Sequence, residues 1–296
     1  MNGTSDILCI GSVLWDVIGR TDASMRQGND VPGRITRLPG GVALNIAMTL
    51  KRFGLTPALL SIVGSDPEGD ELVTACDDMG LITAFLLRDA RLPTDSYIAI
   101  EDNGGLVAAM CDAHSLEAAG DRILAPLFDG RLGSAEAPYS GPVALDGNLT
   151  EALLIDVAEH PALRKADLRI APASPGKATR LTPLLAHPGA TLYVNLEEAG
   201  LILGRTFDAA FHAADALVPL AEAKLRGESL PAGAVTQAVA GLRDHPDARN
   251  LDTLVLACTH FPLLADELRK VFGARVQLVD GAQGIARRIA HLTRGQ

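Results

Sequence analysis

Apolar positions along the chain fall into short blocks whose spacing changes from block to block. Residues 7–10 are continuously apolar and run into Gly11-Ser12, the pattern of a buried strand closed by a turn, with Asp16 just past its end. Over residues 45–53, Ile46, Ala47, Leu50 and Phe53 recur at helical spacing, and residues 58–63 read as another short apolar strand. Residues 67–79 predict an acidic amphipathic helix that stops at Gly80, a residue suited to the left-handed position beyond a helix end. Two extended runs, 96–101 and 106–111, flank Asp102-Asn103-Gly104-Gly105. That is a hairpin signal in which Asn-Gly supplies the positive φ angles of the turn. Further on, strands at 143–145, 168–170 and 191–194 alternate with helices at 151–158 and 178–185, while residues 129–140 read as loop. This alternation predicts an α/β fold with parallel strands and helices on both faces. Beyond about residue 213 the pattern gives a loop and helix (216–226), a helix (234–242) and a polar connection (244–250). Strand 253–257, helix 262–272, strand 276–279 and helix 284–292 complete it.

Composition narrows the function classes. The net charge of −10 would repel a phosphate backbone, and aromatics at 4% leave little for base stacking, so nucleic acid is not an expected partner. No apolar run approaches the roughly 18 residues of a membrane helix, and residues 1–20 lack a basic start, so neither a membrane span nor a signal peptide is expected. The four cysteines are scattered without a CxxC pair, which suits neither a disulfide framework nor a zinc site and points to a reducing cytoplasm. Cys9 and Cys76 read as core packing.

The segment Pro39-Gly40-Gly41-Val42-Ala43-Leu44-Asn45 carries chemistry. A glycine pair before a helix lets the backbone approach a ligand and would expose free amides at the helix start. Asn45 offers a donor and an acceptor to vicinal hydroxyls, and Asp16 can accept two more hydrogen bonds. A sugar presents such pairs of hydroxyls. Alone, this pattern also describes a plain turn and helix start.

The wider pattern resembles the first signature of the PfkB carbohydrate kinases: Gly40, Gly41, Ala43, Asn45 and Ala47, then Gly54 and Gly64. Val31-Pro32-Gly33-Arg34-Ile35, Ser96-Tyr97 and Cys111-Asp112 are similar to steps in the pseudouridine kinases of that family, with Cys111 where an Asn is usual and Ala43-Leu44 in place of Gly-Arg. Over about residues 5–213 the resemblance implies a ribokinase-like three-layer α/β sandwich with a mostly parallel sheet and a small β lid from segments near 31–39 and 94–112. It also implies that Asp16, Gly40, Gly41, Asn45 and Asp112 bind a sugar or nucleoside, and that ATP and Mg²⁺ serve as cofactors. Asn195 and Glu198, from an Asn-x-x-Glu motif, would stand behind the metal and phosphates. A homodimer through the lid is a further implication.

The family's closing Gly-Ala-Gly-Asp motif, which supplies an anion hole and the catalytic base, is missing. The nearest segment, Asp280-Gly281-Ala282-Gln283-Gly284, has Ile285 where the base should stand. Instead, residues 215–296 resemble the C-terminal part of glutamate racemases, an α/β segment of the Asp/Glu-racemase type. The likeness rests on Ala257-Cys258-Thr259-His260-Phe261-Pro262-Leu263 and, upstream, Val218-Pro219-Leu220-Ala221-Glu222. It implies cofactor-free proton transfer by Cys258, with Thr259 beside it and His260 and Glu222 assisting. A cysteine between a strand end and a helix start gains thiolate character from the exposed amides. That family's first cysteine has no counterpart here. Two domains are therefore expected, 1–213 and 214–296, as in a fused or chimeric reading frame. A sugar-binding protein without catalysis is the third reading.

Overall fold

In the computed structural model, residues 5–206, 213–256 and 260–280 are described. The chain divides into two compact units, 1–204 and 205–296. Unit 1 is built on five parallel strands in the order β11-β10-β9-β1-β4. These are β1 (Ile7–Ile10), β4 (Pro57–Leu60), β9 (Pro142–Asp146), β10 (Asp167–Ala171) and β11 (Ala190–Leu192). Side chains alternate across the sheet, so β1 feeds two cores. Leu8 and Ile10 join Leu60, Leu145 and Ile170 on one face, packed under residues from α3 (His114–Ala119), α4 (Ala125–Phe128) and α5 (Glu151–Glu159). Ile7 and Cys9 join Leu59 and Ala144 on the other, under α1 (Val42–Arg52) and α2 (Pro67–Asp78). Helices on both faces make the three-layer α/β sandwich that the alternation predicts. Burial pushes the thiols of Cys9 and Cys76 up to about 12, which suits packing and not reactivity.

Over the sheet's carboxyl ends lies a second, four-stranded sheet in the order β3-β2-β7-β8. It comprises β2 (Leu14–Arg20), β3 (Arg34–Gly40), β7 (Ser96–Asp102) and β8 (Gly105–Asp112). This is the lid, and it corrects the placement of Asp16: the residue sits inside β2, opposite Leu38, and not in a loop after β1. Arg37 of β3 lies over the Trp15 ring at 4.2 Å and pairs with Glu71 of α2, while the Trp15 indole donates to the Glu68 carbonyl at 2.9 Å.

Several local expectations change. The apolar run 58–63 is two strands, because β5 (Ile62–Gly64) leaves the main sheet after Ser61 to pair with β6 (Leu87–Asp89). The 96–112 hairpin forms, but its positive φ falls on Gly105 and not on Asn103-Gly104. There the Asp102 carboxylate accepts from the Gly104 amide at 2.7 Å, and the register slips by one residue between Ile100 and Glu101. The helix expected at 178–185 is a 3-10 run, Pro175–Ala186, which carries Pro183 inside it. α2 ends as expected before Gly80, at φ +73. It starts at an Asp66 cap whose carboxylate takes the Gly69 amide at 2.8 Å and the Thr94 amide at 2.7 Å. Asp66→Ala is expected to cost about 1–2 kcal/mol in a denaturant melt, the upper end for a cap because Thr94 loses its partner too.

α6 (Leu196–Leu203) closes unit 1. Unit 2 has its own core, with Leu217, Val235, Leu256, Phe261, Leu264 and Leu268 buried together. Its two strands, β12 (Thr253–Leu256) and β13 (Gln277–Asp280), form a parallel pair of their own. Around them lie α7 (Ala213–Leu225), α8 (Ala234–Ala238), α9 (Ala240–Arg243) and α10 (Ala265–Phe272). The helix expected over 234–242 is thus broken at Val239, and the one over 262–272 opens with a 3-10 turn at Phe261–Leu264. The expected helix 284–292 lies outside the described residues. Among the described residues no helix is long and apolar enough to cross a membrane.

Candidate functional site

In the main sheet β1 is followed by β4 on one side and β9 on the other, so the chain direction of travel reverses there. The crevice beyond the carboxyl ends at such a switch point is where open α/β sheets hold ligands. A cavity of about 440 Å³ lies at this position in unit 1. Its floor comes from loops after successive strands: Ser12 after β1, Asn148 after β9, and Ala173, Ser174 and Lys177 after β10. Gly41, Val42 and Asn45 from the start of α1 form one wall, and Leu14, Asp16, Tyr97, Ala109 and Cys111 from the lid form the roof.

Asp16 and Asn45 thus face one cavity, from roof and wall. Burial raises the Asp16 carboxyl above the ordinary carboxylate range. Neither side chain has a hydrogen-bond partner among the described residues, and two such groups over one space suit a molecule with several hydroxyls. Gly40 is buried directly beneath Asp16, where a methyl group would collide with the carboxylate. Gly41, at φ +95, lies against the Ser12 carbonyl with no room for a side chain.

Two expectations for this region fail. Asp112 is exposed and outside the cavity, taken by His114 at 2.7 Å, and its neighbour Cys111 points in instead because side chains alternate along β8. The first amides of α1 are not free for a ligand. Val42 donates to Ser12 Oγ at 2.8 Å, Ala43 to Asp146 Oδ2 at 3.1 Å, Leu44 to the Ser12 carbonyl at 3.3 Å and Asn45 to the Gly41 carbonyl at 2.8 Å. Conversely, the sequence reading missed Asn148 and Lys177, joined at 2.5 Å between Lys177 Nζ and Asn148 Oδ1. Their signal was position: each follows the end of a predicted parallel strand.

Asn195 and Glu198 are spent on each other. The Asn195 side chain accepts from the Glu198 amide and the Glu198 carboxylate from the Asn195 amide, each at 2.8 Å, a reciprocal cap on α6. This arrangement is a helix cap that uses one oxygen of each side chain. Among the described residues no group of three or more His, Cys, Asp and Glu side chains is placed to hold a metal ion.

In unit 2, Glu222 is exposed on α7 and His260 is exposed before the Phe261–Leu264 turn, while Cys258 and Thr259 lie outside the described residues. A cavity of about 530 Å³ there is lined by Lys224, Glu228, Glu267 and Lys270 among others, and by neither Glu222 nor His260.

Comparison with known proteins agrees with the lid-and-crevice architecture. The model of the pfkB family carbohydrate kinases matches residues 4–227. The chain belongs to the PfkB family. A carbohydrate kinase from Agrobacterium tumefaciens superposes with a TM-score of 0.57 at 25% identity, covering 68% of this chain and 64% of that one. Arabidopsis thaliana ribokinase, solved with ribose and ATP, gives 0.54 at 14% identity over 82% of this chain and 69% of its own. The second likeness is to glutamate racemases and is either local or low: that of Brucella canis is 29% identical over 226 residues, 73% of this chain and 77% of its own. Glutamate racemase from Sphingopyxis alaskensis is 60% identical over 85 residues, which is 29% of this chain. The chain spans only 32% of that racemase's length. The fold of unit 1 is therefore ribokinase-like, with Asp16, Gly41 and Asn45 lining one crevice.

Proposed function

We propose that unit 1 binds a ribosyl sugar or nucleoside of the pseudouridine class between lid and crevice, and that phosphoryl transfer is lost. The observation that carries the reading is the Asp16 carboxylate, without a partner among the described residues, facing the cavity it shares with Asn45. Asp16 accepts two ribose hydroxyls, Asn45 spans a donor and an acceptor, and Lys177 with Asn148 addresses the polar edge of the aglycone. The loss of transfer follows from chemistry: the donor's γ-phosphoryl needs an activated hydroxyl and a cradle for its charge, and Ile285 stands where the base would be. ATP with Mg²⁺ remains the donor expected of the lineage, with Asn195 and Glu198, which cap α6, standing behind the metal and phosphates. We place the junction of the two segments near residue 213, where the two motif sets meet. A homodimer through the lid has support in β8, an exposed edge strand whose residues 106–111 carry no charge.

A second reading rests on the racemase likeness: epimerisation of glutamate through Cys258, with Glu222, Thr259 and His260 around it.

Calorimetry against ribose, pseudouridine, Mg-ATP and glutamate separates these readings. Ribose or pseudouridine should bind, without phosphate release on adding Mg-ATP. Turnover at an ordinary rate would overturn the loss of transfer, and glutamate binding alone would favour the second reading, with Cys258→Ala then abolishing epimerisation. The pH profile adds a check. Asp16 must be ionised to accept two hydroxyls, and its pKa is raised by burial, so affinity should fall on acidification at a pH above the usual carboxylate range. A flat profile down to the ordinary aspartate range would contradict the role given to Asp16.

A further inference from the structure

Four donors converge on a carboxylate that never reaches the cavity. Asp146, at the end of β9, is fully buried. Its Oδ2 accepts from Ser12 N at 2.7 Å, Ser12 Oγ at 2.8 Å and Ala43 N at 3.1 Å, and its Oδ1 from Asn148 N at 2.7 Å. Ser12 Oγ relays the contact, accepting from Val42 N at 2.8 Å and Asn148 Nδ2 at 3.0 Å. Asn148 Oδ1 then receives Lys177 Nζ at 2.5 Å. One side chain thus ties together the ends of β1 and β9, the first turn of α1 and, through Asn148, the loop after β10. Those are the segments from which floor and wall of the cavity are made. Gly11 at φ +145 belongs to the same device, since any side chain there would overlap the Asp146 carboxylate.

We infer that Asp146 is a positioning residue for ligand binding: it sets the placement of Asn45, Asn148 and Lys177 without touching the ligand. The role rests on reading the cavity as a ribosyl site. Among the described residues no cation contacts Asp146 directly. Its charge is met by four neutral donors and by the positive end of α1, so the first turn of that helix is fixed by a residue about a hundred positions away in sequence. An amide in its place keeps the volume but turns an NH₂ toward at least one N–H that needs an acceptor. The first turn, with Asn45 on it, must then shift.

Asp146→Asn should weaken ribose or pseudouridine binding tenfold or more, measured by calorimetry well below the melting temperature so that only folded protein is counted. The discriminating readout is a cycle with Asn45→Ala. If Asp146 acts by placing Asn45, the double variant binds about as well as the weaker single variant. A purely structural effect would multiply the two factors or leave the folded protein's affinity unchanged, and either result overturns the inference. Should Asp146→Asn fail to fold, Ser12→Ala cuts the relay with the carboxylate retained and must show the same non-additivity with Asn45→Ala. Binding by the wild type with unchanged affinity in these variants sinks the positioning role alone. No binding by the wild type sinks the ribosyl reading and this role with it.

Discussion

Asp16→Ala is expected to weaken ribose or pseudouridine binding by at least a hundredfold while leaving the melting temperature close to that of the wild type. A hydrogen bond to a charged group contributes about 1.5–3 kcal/mol, and Asp16 is placed to accept two hydroxyls. Losing both removes about 3–6 kcal/mol, which corresponds to roughly two to four decades in Kd. The fold should not suffer, because the carboxylate has no partner among the described residues and its burial disfavours its charge. Calorimetry and a thermal melt read the two quantities separately. A Kd within threefold of wild type would remove Asp16 from the site.

The largest effect on stability is expected from Leu145→Ala. Leu145 is fully buried in β9, flanked by β1 and β10, within a core of leucines and isoleucines. Truncating such a leucine leaves a cavity and costs about 2–5 kcal/mol. For a unit of this size, a loss of about 3 kcal/mol lowers the transition by roughly 6–12 °C. Leu268, fully buried in unit 2, belongs to a separate core, so Leu268→Ala should act on a different transition. Scanning calorimetry of the two variants checks this. Equal movement of every transition in both would show that the cores melt as one.

The architecture was legible in the sequence where burial imposes a period. Strands 7–10 and 143–145 were readable because a parallel strand covered on both faces is apolar throughout, and 168–170 because buried Leu168 and Ile170 alternate with half-buried Arg169. The glycine pair was readable because its two close contacts leave no room for any other residue. β2 escaped notice since its residues grade from buried to exposed, with Asp16 and Gly19 interrupting any alternation. The break between β4 and β5 was hidden for a different reason: Ser61 is buried like its neighbours, and only pairing partners distinguish the two strands. Asp146 illustrates the remaining limit. Nothing local marks an aspartate as the cap of a helix far upstream, because that role depends on which strand ends are neighbours.

β1 is made before both of its neighbours, yet it occupies the interior of the five-stranded sheet between β4 and β9. β4 follows after one helix, whereas β9 starts at Pro142, roughly 130 residues after β1 ends. At about 5–20 residues per second, the open side of β1 waits on the order of ten seconds for its neighbour. During that interval an apolar strand edge lies open to any other unfinished chain, so the yield of this protein is expected to rise with nascent-chain chaperones.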